Sequence, residues 1–228
     1  MDNLPDLSSI WQQTLNWEPN LEKKAQFQQL YQKILQGNRE LNLTRITSPR
    51  DFWEKHLWDS LAGITSELID WQQSLKAIDI GTGAGFPGMA IAIALPHWRV
   101  TLLDSTRKKV AFLDQLYTSL GLANIETIAA RAEELHKQAQ YQQGYDLALV
   151  RAVGSTSVCV EYALPLVKIG GLAILYRGHW SELEDRQLPE IVSNFGGRVE
   201  QIKELSTPLS QSTRHYLYVR KKISNLSY

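Results

Sequence analysis

Cysteine is almost absent from this sequence of 228 residues, which contains Cys159 and no other. A single thiol excludes an internal disulfide and is typical of proteins in a reducing cytosol, so we expect a cytoplasmic protein. The same scarcity excludes a zinc site built from cysteine pairs. The five histidines are scattered along the chain, and we therefore predict no metal site.

Long apolar runs and an excess of one charge are also missing. The longest apolar run, GMAIAIAL at 88–95, is too short to cross a bilayer, and the first residues lack the basic region of a signal peptide. We therefore expect no membrane partner, and the sequence indicates no protein partner either. Lys and Arg balance Asp and Glu, 24 against 24, which argues against bulk coating of nucleic acid but leaves local basic patches open.

The first part of the chain predicts helices. Apolar residues at three- and four-residue spacing predict one amphipathic helix that ends at Gly37 and Asn38, and PRDFWEKHLWDSLAGI predicts a second that ends at Gly63. We interpret residues 1–72 as a helical segment packed on the core. The predicted buried face of the first helix comprises Leu21, Phe27, Leu30, Tyr31, Ile34 and Leu35.

From residue 75 short apolar strands alternate with helices, which predicts an α/β fold with a mostly parallel, doubly wound sheet over residues 73–228. Two tail segments joined by a loop at Pro208 predict an antiparallel edge pair. The predicted parallel strands are 75–80, 99–104, 124–130, 145–152 and 171–177, and the predicted helices are 87–95, 106–120, 132–140 and 156–167.

The stretch AIDIGTGAGFPG joins the first predicted strand to a helix. Gly81, Gly83 and Gly85 allow a tight turn and a close approach of a ligand to the backbone. A dinucleotide fingerprint reads G-x-G-x-x-G, and here Phe86 occupies the position of the third glycine. The loop therefore disfavours a nicotinamide oxidoreductase.

Two acids accompany this loop. Asp104 ends the second predicted strand, where a carboxylate can accept hydrogen bonds from ribose hydroxyls, and Asp79 can orient the loop or meet a ligand ammonium group. An acidic lining suits S-adenosylmethionine, which carries ribose hydroxyls, an ammonium and a sulfonium but no phosphate. The alternative is a glycine-rich turn followed by an unrelated acid.

The motifs DIGTGAGFPG, VTLLDSTRKKVAFLDQL, RAEEL and VRAVGS together resemble the small-subunit ribosomal RNA methyltransferase G family, also called glucose-inhibited division protein B. LNLTRI, KHLWDSL and the tail RHYLYVRKK are similar to further signatures of that family, so the resemblance runs from Leu41 to Lys222. The sequence departs at Val150, where relatives commonly have Ser, and at Arg177, where a Lys is common.

The resemblance implies a Rossmann-like class I methyltransferase domain behind a helical N-terminal segment. It implies transfer of a methyl group from S-adenosylmethionine to N7 of one guanine in 16S ribosomal RNA, free or in an assembling small subunit. It also implies cofactor contacts, which add to Asp79 and Gly83 of the loop itself. These are Gly81, Phe86, Asp104, Ser105, Thr106, Ala132, Glu133 and Arg151.

Guanine N7 carries a free lone pair, so its methylation needs no base. The sequence lacks an Asn/Asp-Pro-Pro-aromatic motif for an exocyclic amine, and Cys159 fits a helix interior better than a nucleophile. We therefore predict catalysis by positioning, without a covalent intermediate. Arg151 is the candidate for orienting the base through guanine O6 or a phosphate, unless it forms a salt bridge to Glu133 or another acid.

We expect His56 and Asp59 to have a structural role, because N7 chemistry requires no acid–base pair. RNA contacts are expected from cations of separate segments that the fold brings to the cleft: Arg45, Arg177, Arg214 and His215. Two alternatives stay open, a small-molecule methyltransferase and a non-catalytic RNA-binding protein that retains the fold.

Overall fold

A computed structural model describes residues 3–222; the predicted segments 1–72 and 73–228 extend outside the described residues at 1–2 and 223–228. In the described residues seven strands form one sheet in the order β3-β2-β1-β4-β5-β7-β6, of which the first five in sequence are parallel. β7 runs antiparallel to β5, and β6 pairs antiparallel with β7 at the edge. The predicted fold class is confirmed. The strands are β1 Lys76–Ile80, β2 Arg99–Asp104, β3 Ile125–Ala129, β4 Tyr145–Arg151, β5 Val167–Arg177, β6 Gly197–Ser206 and β7 Thr213–Lys221.

Helices cover both faces of this sheet. The helices of the first part are α1 Ser8–Leu15, α2 Leu21–Leu41, and a continuous helical run formed by α3 Pro49–Phe52, a π-helical segment Trp53–Trp58 and α4 Asp59–Ala62. Those of the second part are α5 Gly88–Ala94, α6 Arg107–Ser119, α7 Ala132–Leu135, α8 Thr156–Ala163 and α9 Glu182–Asn194. None of the helices in residues 3–222 is long and apolar enough to span a membrane.

The core lies on the two sides of the sheet because successive strand residues point to opposite faces. In β4, Leu147 and Leu149 belong to the cluster that also contains Phe27 and Ile34 of α2. Ala148 belongs to the second cluster, with residues of α8 and α9. The N-terminal helices therefore share a buried cluster with the sheet.

Tyrosines of the sheet hold the helical run 49–62 in place. Tyr176 of β5 donates its hydroxyl to the Ser60 carbonyl at 2.9 Å, and Tyr218 of β7 donates to the Gly63 carbonyl at 2.9 Å. At the other side, the buried carboxylate of Glu54 accepts the backbone N–H groups of Leu209 at 2.6 Å and Ser210 at 2.9 Å. These bonds fix the run across the carboxyl end of the sheet.

The N-terminal helix predictions need correction. α2 continues past Gly37 and Asn38 to Leu41, because the left-handed residue that ends the helix is Asn42, whose N–H donates to the Asn38 carbonyl. Leu21 is exposed rather than buried, since it is the first residue of the helix. Leu35 is half-buried.

The other boundaries differ in the second half of the chain. The helix predicted over 132–140 ends at Leu135, and the one predicted over 156–167 ends at Ala163, because Val167 already starts β5. α9 lies in a stretch for which no helix was predicted, and Pro189 is inside it. Its capping box, Ser181 with Glu184, was the signal that could have revealed it.

Candidate functional site: two adjoining cavities at the carboxyl edge

The site lies where the chain order of the sheet reverses. β2 and β3 extend from one side of β1, and β4 and β5 extend from the other. Ligands of open parallel sheets bind at this kind of switch point, beyond the carboxyl ends of the strands. The glycine loop follows β1 here, so the fold places it at the expected position.

The three loop glycines have left-handed backbones, with φ of +69° at Gly81, +59° at Gly83 and +99° at Gly85. L side chains rarely adopt such values, which explains the glycines. A Cβ at Gly81 would also meet Val153 at 2.6 Å, and one at Gly85 would meet Met89 at 2.7 Å. At Gly83 only the Gly81 carbonyl lies within 4 Å of that position, so the space beside Gly83 is open.

Asp79 holds the glycine loop through two hydrogen bonds. Its Oδ2 accepts the Thr82 hydroxyl at 2.6 Å and the Gly88 N–H at 2.8 Å. The residue is fully buried, and this desolvation raises its pKa to about 6. Its Oδ1 is buried without a hydrogen-bond partner among residues 3–222. Asp79 therefore holds the loop through Oδ2 and keeps Oδ1 as an acceptor without a partner among the described residues.

Asp104 ties the loop to the end of β2. Its Oδ2 accepts the Gly83 N–H at 3.0 Å and its Oδ1 accepts the Thr106 N–H at 2.8 Å. The side chain faces a cavity of about 240 Å³. Each oxygen retains acceptor capacity for a further hydroxyl on this side. The cavity lining comprises Ile80, Gly81, Leu103, Asp104, Ser105, Ala130, Arg131, Ala132, Glu133, Val153 and Tyr162.

Five of the ten predicted cofactor residues line this cavity, whereas Asp79, Gly83 and Arg151 do not. The five are Gly81, Asp104, Ser105, Ala132 and Glu133. Thr106 contributes its backbone N–H to Asp104 rather than a lining side chain. Phe86 does not line the cavity: its ring is buried, stacked on His56 at 4.4 Å between ring centroids, and in edge contact with Phe52 at 5.5 Å. Its side chain thus packs the loop against the helical run.

Arg151 ends β4 and lies in a hydrogen-bond network with that run. Its Nη1 donates to the Lys55 carbonyl at 2.8 Å and to Asp59 Oδ2 at 3.2 Å, and its Nη2 lies 3.2 Å from His56 Nδ1. The acid paired with Arg151 is therefore Asp59, while Glu133 pairs with Arg131. His56 and Asp59 connect the helical run to the sheet, as expected.

The network fixes the protonation of His56. Arginine can only donate, so Nδ1 of His56 accepts, and Nε2 carries the proton that it shares with the Thr44 hydroxyl at 2.9 Å. Burial, with the charges of Arg151 and Lys55, lowers the pKa of His56 well below its usual value. The imidazole is neutral at physiological pH and occupied at both nitrogens.

A second cavity, of about 550 Å³, adjoins the first. The segment after β4 separates them, since Arg151 and Ala152 line the larger cavity and Val153 lines the smaller. Ala152 has a left-handed backbone with φ of +56°, an uncommon conformation for alanine that occurs at functional sites. The larger lining comprises Ile46, Lys55, His56, Asp59, Arg151, Ala152, Tyr176, Arg177, Gly178, His179 and Arg214.

Two of the four residues predicted to contact RNA line the larger cavity. Arg177 and Arg214 line the larger cavity, whereas Arg45 only precedes its lining residue Ile46. His215 does not reach it: the buried ring contacts the Gly178 carbonyl and Glu204, because it points to the opposite face from Arg214. The structure therefore does not bring His215 together with Arg177 and Arg214 at this cavity.

Lys55 and His179 also line the larger cavity, and sequence reasoning did not assign them to it. The sequence places Lys55 and His56 shortly after Arg45 and Arg50, so a basic cluster could be recognised there. Its position depends on the π-helical segment, which no local pattern predicted. Among the described residues no group of three or more His, Cys, Asp or Glu side chains could hold a metal ion.

The family model and two of the most similar proteins carry the same description. The family described as rRNA small subunit methyltransferase G matches residues 23–216. The ribosomal RNA small subunit methyltransferase G of Trichodesmium erythraeum is 56% identical over 221 residues, covering 96% of this chain and 87% of that protein. The protein of the same name from Trichormus variabilis is 55% identical, covering 96% and 90%.

A solved structure supports the fold. A mutant of the 16S rRNA (adenine(1408)-N(1))-methyltransferase from Catenulisporales acidiphilia superposes with a TM-score of 0.55 at 16% identity. The match covers 68% of this chain and 89% of that one. At this identity the similarity extends to the fold alone.

Proposed function

This chain belongs to the rRNA small subunit methyltransferase G family, and on that premise we propose that it methylates N7 of a specific guanine in 16S ribosomal RNA. It is an S-adenosylmethionine-dependent rRNA methyltransferase. Our proposal goes beyond this assignment in naming the methylated atom, the methylated base and the residues that bind each reactant. The observation that carries them is the pair of adjoining cavities, one lined by the glycine loop and Asp104, the other by cations.

The smaller cavity fits the nucleoside part of the methyl donor. Asp104 uses one acceptor site of Oδ2 on the Gly83 N–H and one of Oδ1 on the Thr106 N–H, and it keeps the others for ribose hydroxyls. The open side of Gly83 admits a ligand against the backbone. Oδ1 of Asp79 is buried without a hydrogen-bond partner among residues 3–222, and we propose that it accepts a hydrogen bond from the ammonium group of the methyl donor. Ser105, Ala132 and Glu133 complete the wall.

The larger cavity fits the nucleotide to be methylated. Arg151, Arg177 and Arg214 line it from three different strands, and Lys55 adds a fourth cation from the helical run. Arginine and lysine neutralise phosphates and can donate to guanine O6. The RNA, free or within an assembling subunit, is therefore proposed to enter from this side.

S-Adenosylmethionine supplies an electrophilic methyl group when bound. The protein does not need to remove a proton, because guanine N7 attacks through an in-plane lone pair. The geometry agrees for His56, an imidazole of the larger cavity that contacts Arg151, because both of its nitrogens already have hydrogen-bond partners. What remains for the chain is to orient both reactants and exclude water. We expect S-adenosylhomocysteine as the second product and no requirement for a metal.

Arg151 has an orienting role. Positive charge develops on the purine, so an unpaired guanidinium beside it would oppose the reaction. Asp59 accepts from Arg151 at 3.2 Å and reduces that repulsion. Arg151 thereby keeps its hydrogen-bonding geometry without presenting a full isolated charge.

The test is a methylation assay with radiolabelled S-adenosylmethionine on protein-free 16S rRNA and on small subunits from a strain that lacks the gene. We expect one 7-methylguanosine, located by chemical cleavage at single-nucleotide resolution, in one or both substrates. The variant Asp104→Asn is expected to weaken donor binding by about tenfold, or about 1.4 kcal/mol, through lost ribose hydrogen bonds. Methylation of another base atom, or of metabolites in place of RNA, would contradict the proposal.

A further inference from the structure

The guanidinium of Arg151 is held by three acceptors from a single helical run. They are the Lys55 carbonyl at 2.8 Å, His56 Nδ1 at 3.2 Å and Asp59 Oδ2 at 3.2 Å. The side chain is 18% exposed, at the wall of the larger cavity. A salt bridge alone would need only the carboxylate, so the extra acceptors restrict the orientation of the planar group.

Asp59 connects this group to a second arginine. Its other oxygen, Oδ1, accepts the Tyr216 hydroxyl at 2.9 Å and lies 3.5 Å from Nε of Arg214. Asp59 is buried, so both ion pairs are poorly screened and their geometry is closely held. One carboxylate therefore sets the positions of two cations that line the same cavity.

His56 can serve as an acceptor because it is neutral and fixed in one tautomer. Nε2–H of His56 donates to the Thr44 hydroxyl at 2.9 Å. The ring of Phe86 stacks on the imidazole with an interplanar angle of 8°. A proton on Nδ1 would face the donors of Arg151, so the contacts with Arg151 and Thr44 select the tautomer, and Phe86 holds the plane of the ring. Phe86 and Thr44 act on Arg151 through this imidazole.

Two donors of Arg151 are left. A guanidinium has five N–H groups, of which three are used, and the remaining two have no partner among residues 3–222. Such donors match the oxygens of a carboxylate or phosphate.

We propose that His56 and Asp59 are positioning residues, which hold Arg151 so that its two remaining N–H donors bind an oxyanion of a reactant. This inference rests on the methyl-transfer function proposed above. The oxyanion is either the carboxylate of the methyl donor or a phosphate of the RNA. Holding the arginine in advance means that little side-chain freedom is lost when the reactant binds.

The sharpest test compares two substitutions of His56. In His56→Asn the amide oxygen takes the place of Nδ1 and can accept from Arg151, but the contact with Thr44 is lost. In His56→Gln the amide reaches the place of Nε2 and can contact Thr44, but the acceptor for Arg151 is lost. We expect kcat/KM to fall at least tenfold in His56→Gln and to fall clearly less in His56→Asn.

A structural control separates positioning from stability. Tyr218→Phe removes a 2.9 Å bond that anchors the same helical run without touching Arg151. We expect it to lower Tm while the kcat of the folded protein is retained. If His56→Gln loses no more activity than Tyr218→Phe at equal loss of Tm, or if both His56 variants lose equally, the role of His56 is refuted.

Asp59→Asn tests the carboxylate and identifies the oxyanion. The amide oxygen can still accept from Tyr216, but Arg151 then faces a neutral group. We expect at least a tenfold weaker Kd, measured by calorimetry for S-adenosylmethionine without RNA and by filter binding for an rRNA fragment without donor. Loss in the first indicates the carboxylate. Because Asp59 also pairs with Arg214, loss in the second indicates a phosphate on Arg151 only where it exceeds the loss in Arg214→Gln. Unchanged Kd values in both refute the proposal.

These binding measurements do not depend on turnover. If the wild-type chain binds both reactants but methylates no guanine in rRNA, the proposed function fails while the binding arms still decide the role of Arg151. If the wild type methylates rRNA and the variants behave like Tyr218→Phe, the function stands and the positioning role is refuted.

Discussion

The glycines of the loop after β1 are required for two different reasons at the scale of single residues. At Gly81 and Gly85 a side chain would collide with Val153 or Met89, so packing as well as backbone conformation demands glycine. At Gly83 no such collision occurs, and the open space is the place where a ligand can approach the backbone. Substitution at Gly83 therefore tests ligand binding more directly than substitution at its neighbours.

Gly83→Ala can be compared with Gly121→Ala, which is matched in conformation. Gly121 has φ of +69° and nothing within 4 Å of its Cβ position, but it lies in the turn after α6, away from the loop. We expect each variant to lose about 1–2 kcal/mol of unfolding free energy because alanine disfavours this backbone conformation. Only Gly83→Ala should weaken S-adenosylmethionine binding, by at least about tenfold. Equal affinities in calorimetry would argue against a ligand at Gly83.

Asp79 makes stability depend on pH. Burial raises its folded pKa to about 6 from an unfolded value of 3.8, so the folded state holds the proton more tightly. Its contribution is therefore most favourable below pH 3.8 and is lost as pH rises through about 6, by at most about 3 kcal/mol. Asp79→Asn can still accept from Thr82 and Gly88 but does not ionise.

We expect the unfolding free energy of Asp79→Asn to gain about 1–3 kcal/mol relative to wild type between pH 4 and pH 7, measured in urea without ligand. His56 acts in the opposite direction, because its lowered pKa makes the fold lose stability as pH falls below 6.5. It titrates in both proteins, so it cancels in the difference. Parallel pH profiles of the two proteins would show that Asp79 is ionised in the fold without cost.

At the scale of elements, the pattern of the sequence predicted α5, α6 and the strands closely, except that the strand predicted over 171–177 already begins at Val167. A short, nearly continuous apolar run is a local property of the sequence, and burial on both faces of the parallel sheet requires such runs in β1, β2 and β4. The local pattern of the sequence did not predict helix boundaries or helix type where these depend on tertiary contacts. Gly37 packs against the ring of Phe112 inside α2, which ends only at the left-handed Asn42. The helical run 49–62 contains a π segment, and sheet tyrosines bond to the end of this run.

The same distinction applies to the site. The glycine loop and Asp104 follow a local motif and could be predicted from sequence. The ion pair of Arg151 with Asp59 joins residues 92 positions apart, so no spacing rule predicts it. The burial of Phe86 beneath His56 likewise depends on the N-terminal run. The geometry of the glycine loop was therefore more predictable than the contacts at the boundary of the two cavities.

α9 provides a prediction at this scale. Pro189 lies inside the helix and is exposed, and it lacks the N–H that would donate to the carbonyl four residues earlier. We expect Pro189→Ala to raise the unfolding free energy by about 1–3 kcal/mol in urea titrations and to leave donor affinity unchanged. Pro208→Ala, in the loop between β6 and β7, is the control and should give no gain. A neutral or destabilising Pro189→Ala would show that the ring makes compensating contacts.

At the scale of the whole molecule, charge distribution matters more than net charge. The chain as a whole is neutral, yet Lys55, Arg151, Arg177 and Arg214 converge on one cavity. Each has an acidic partner, and the partner of two of them, Asp59, is shared. The cavity therefore keeps a local excess of positive charge that composition does not reveal.

This arrangement predicts a steep salt dependence of rRNA binding, because phosphate contacts release counterions. Between about 50 and 200 mM salt we expect the logarithm of the binding constant to fall linearly with that of the salt concentration. Arg214→Gln should reduce the slope by about 0.7–0.9, the value of one phosphate contact. The control is Arg186→Gln, which changes total charge equally on exposed α9, where Arg186 pairs with Glu182. Equal slopes for both variants would place RNA binding outside the larger cavity, since total charge alone would then account for the affinity.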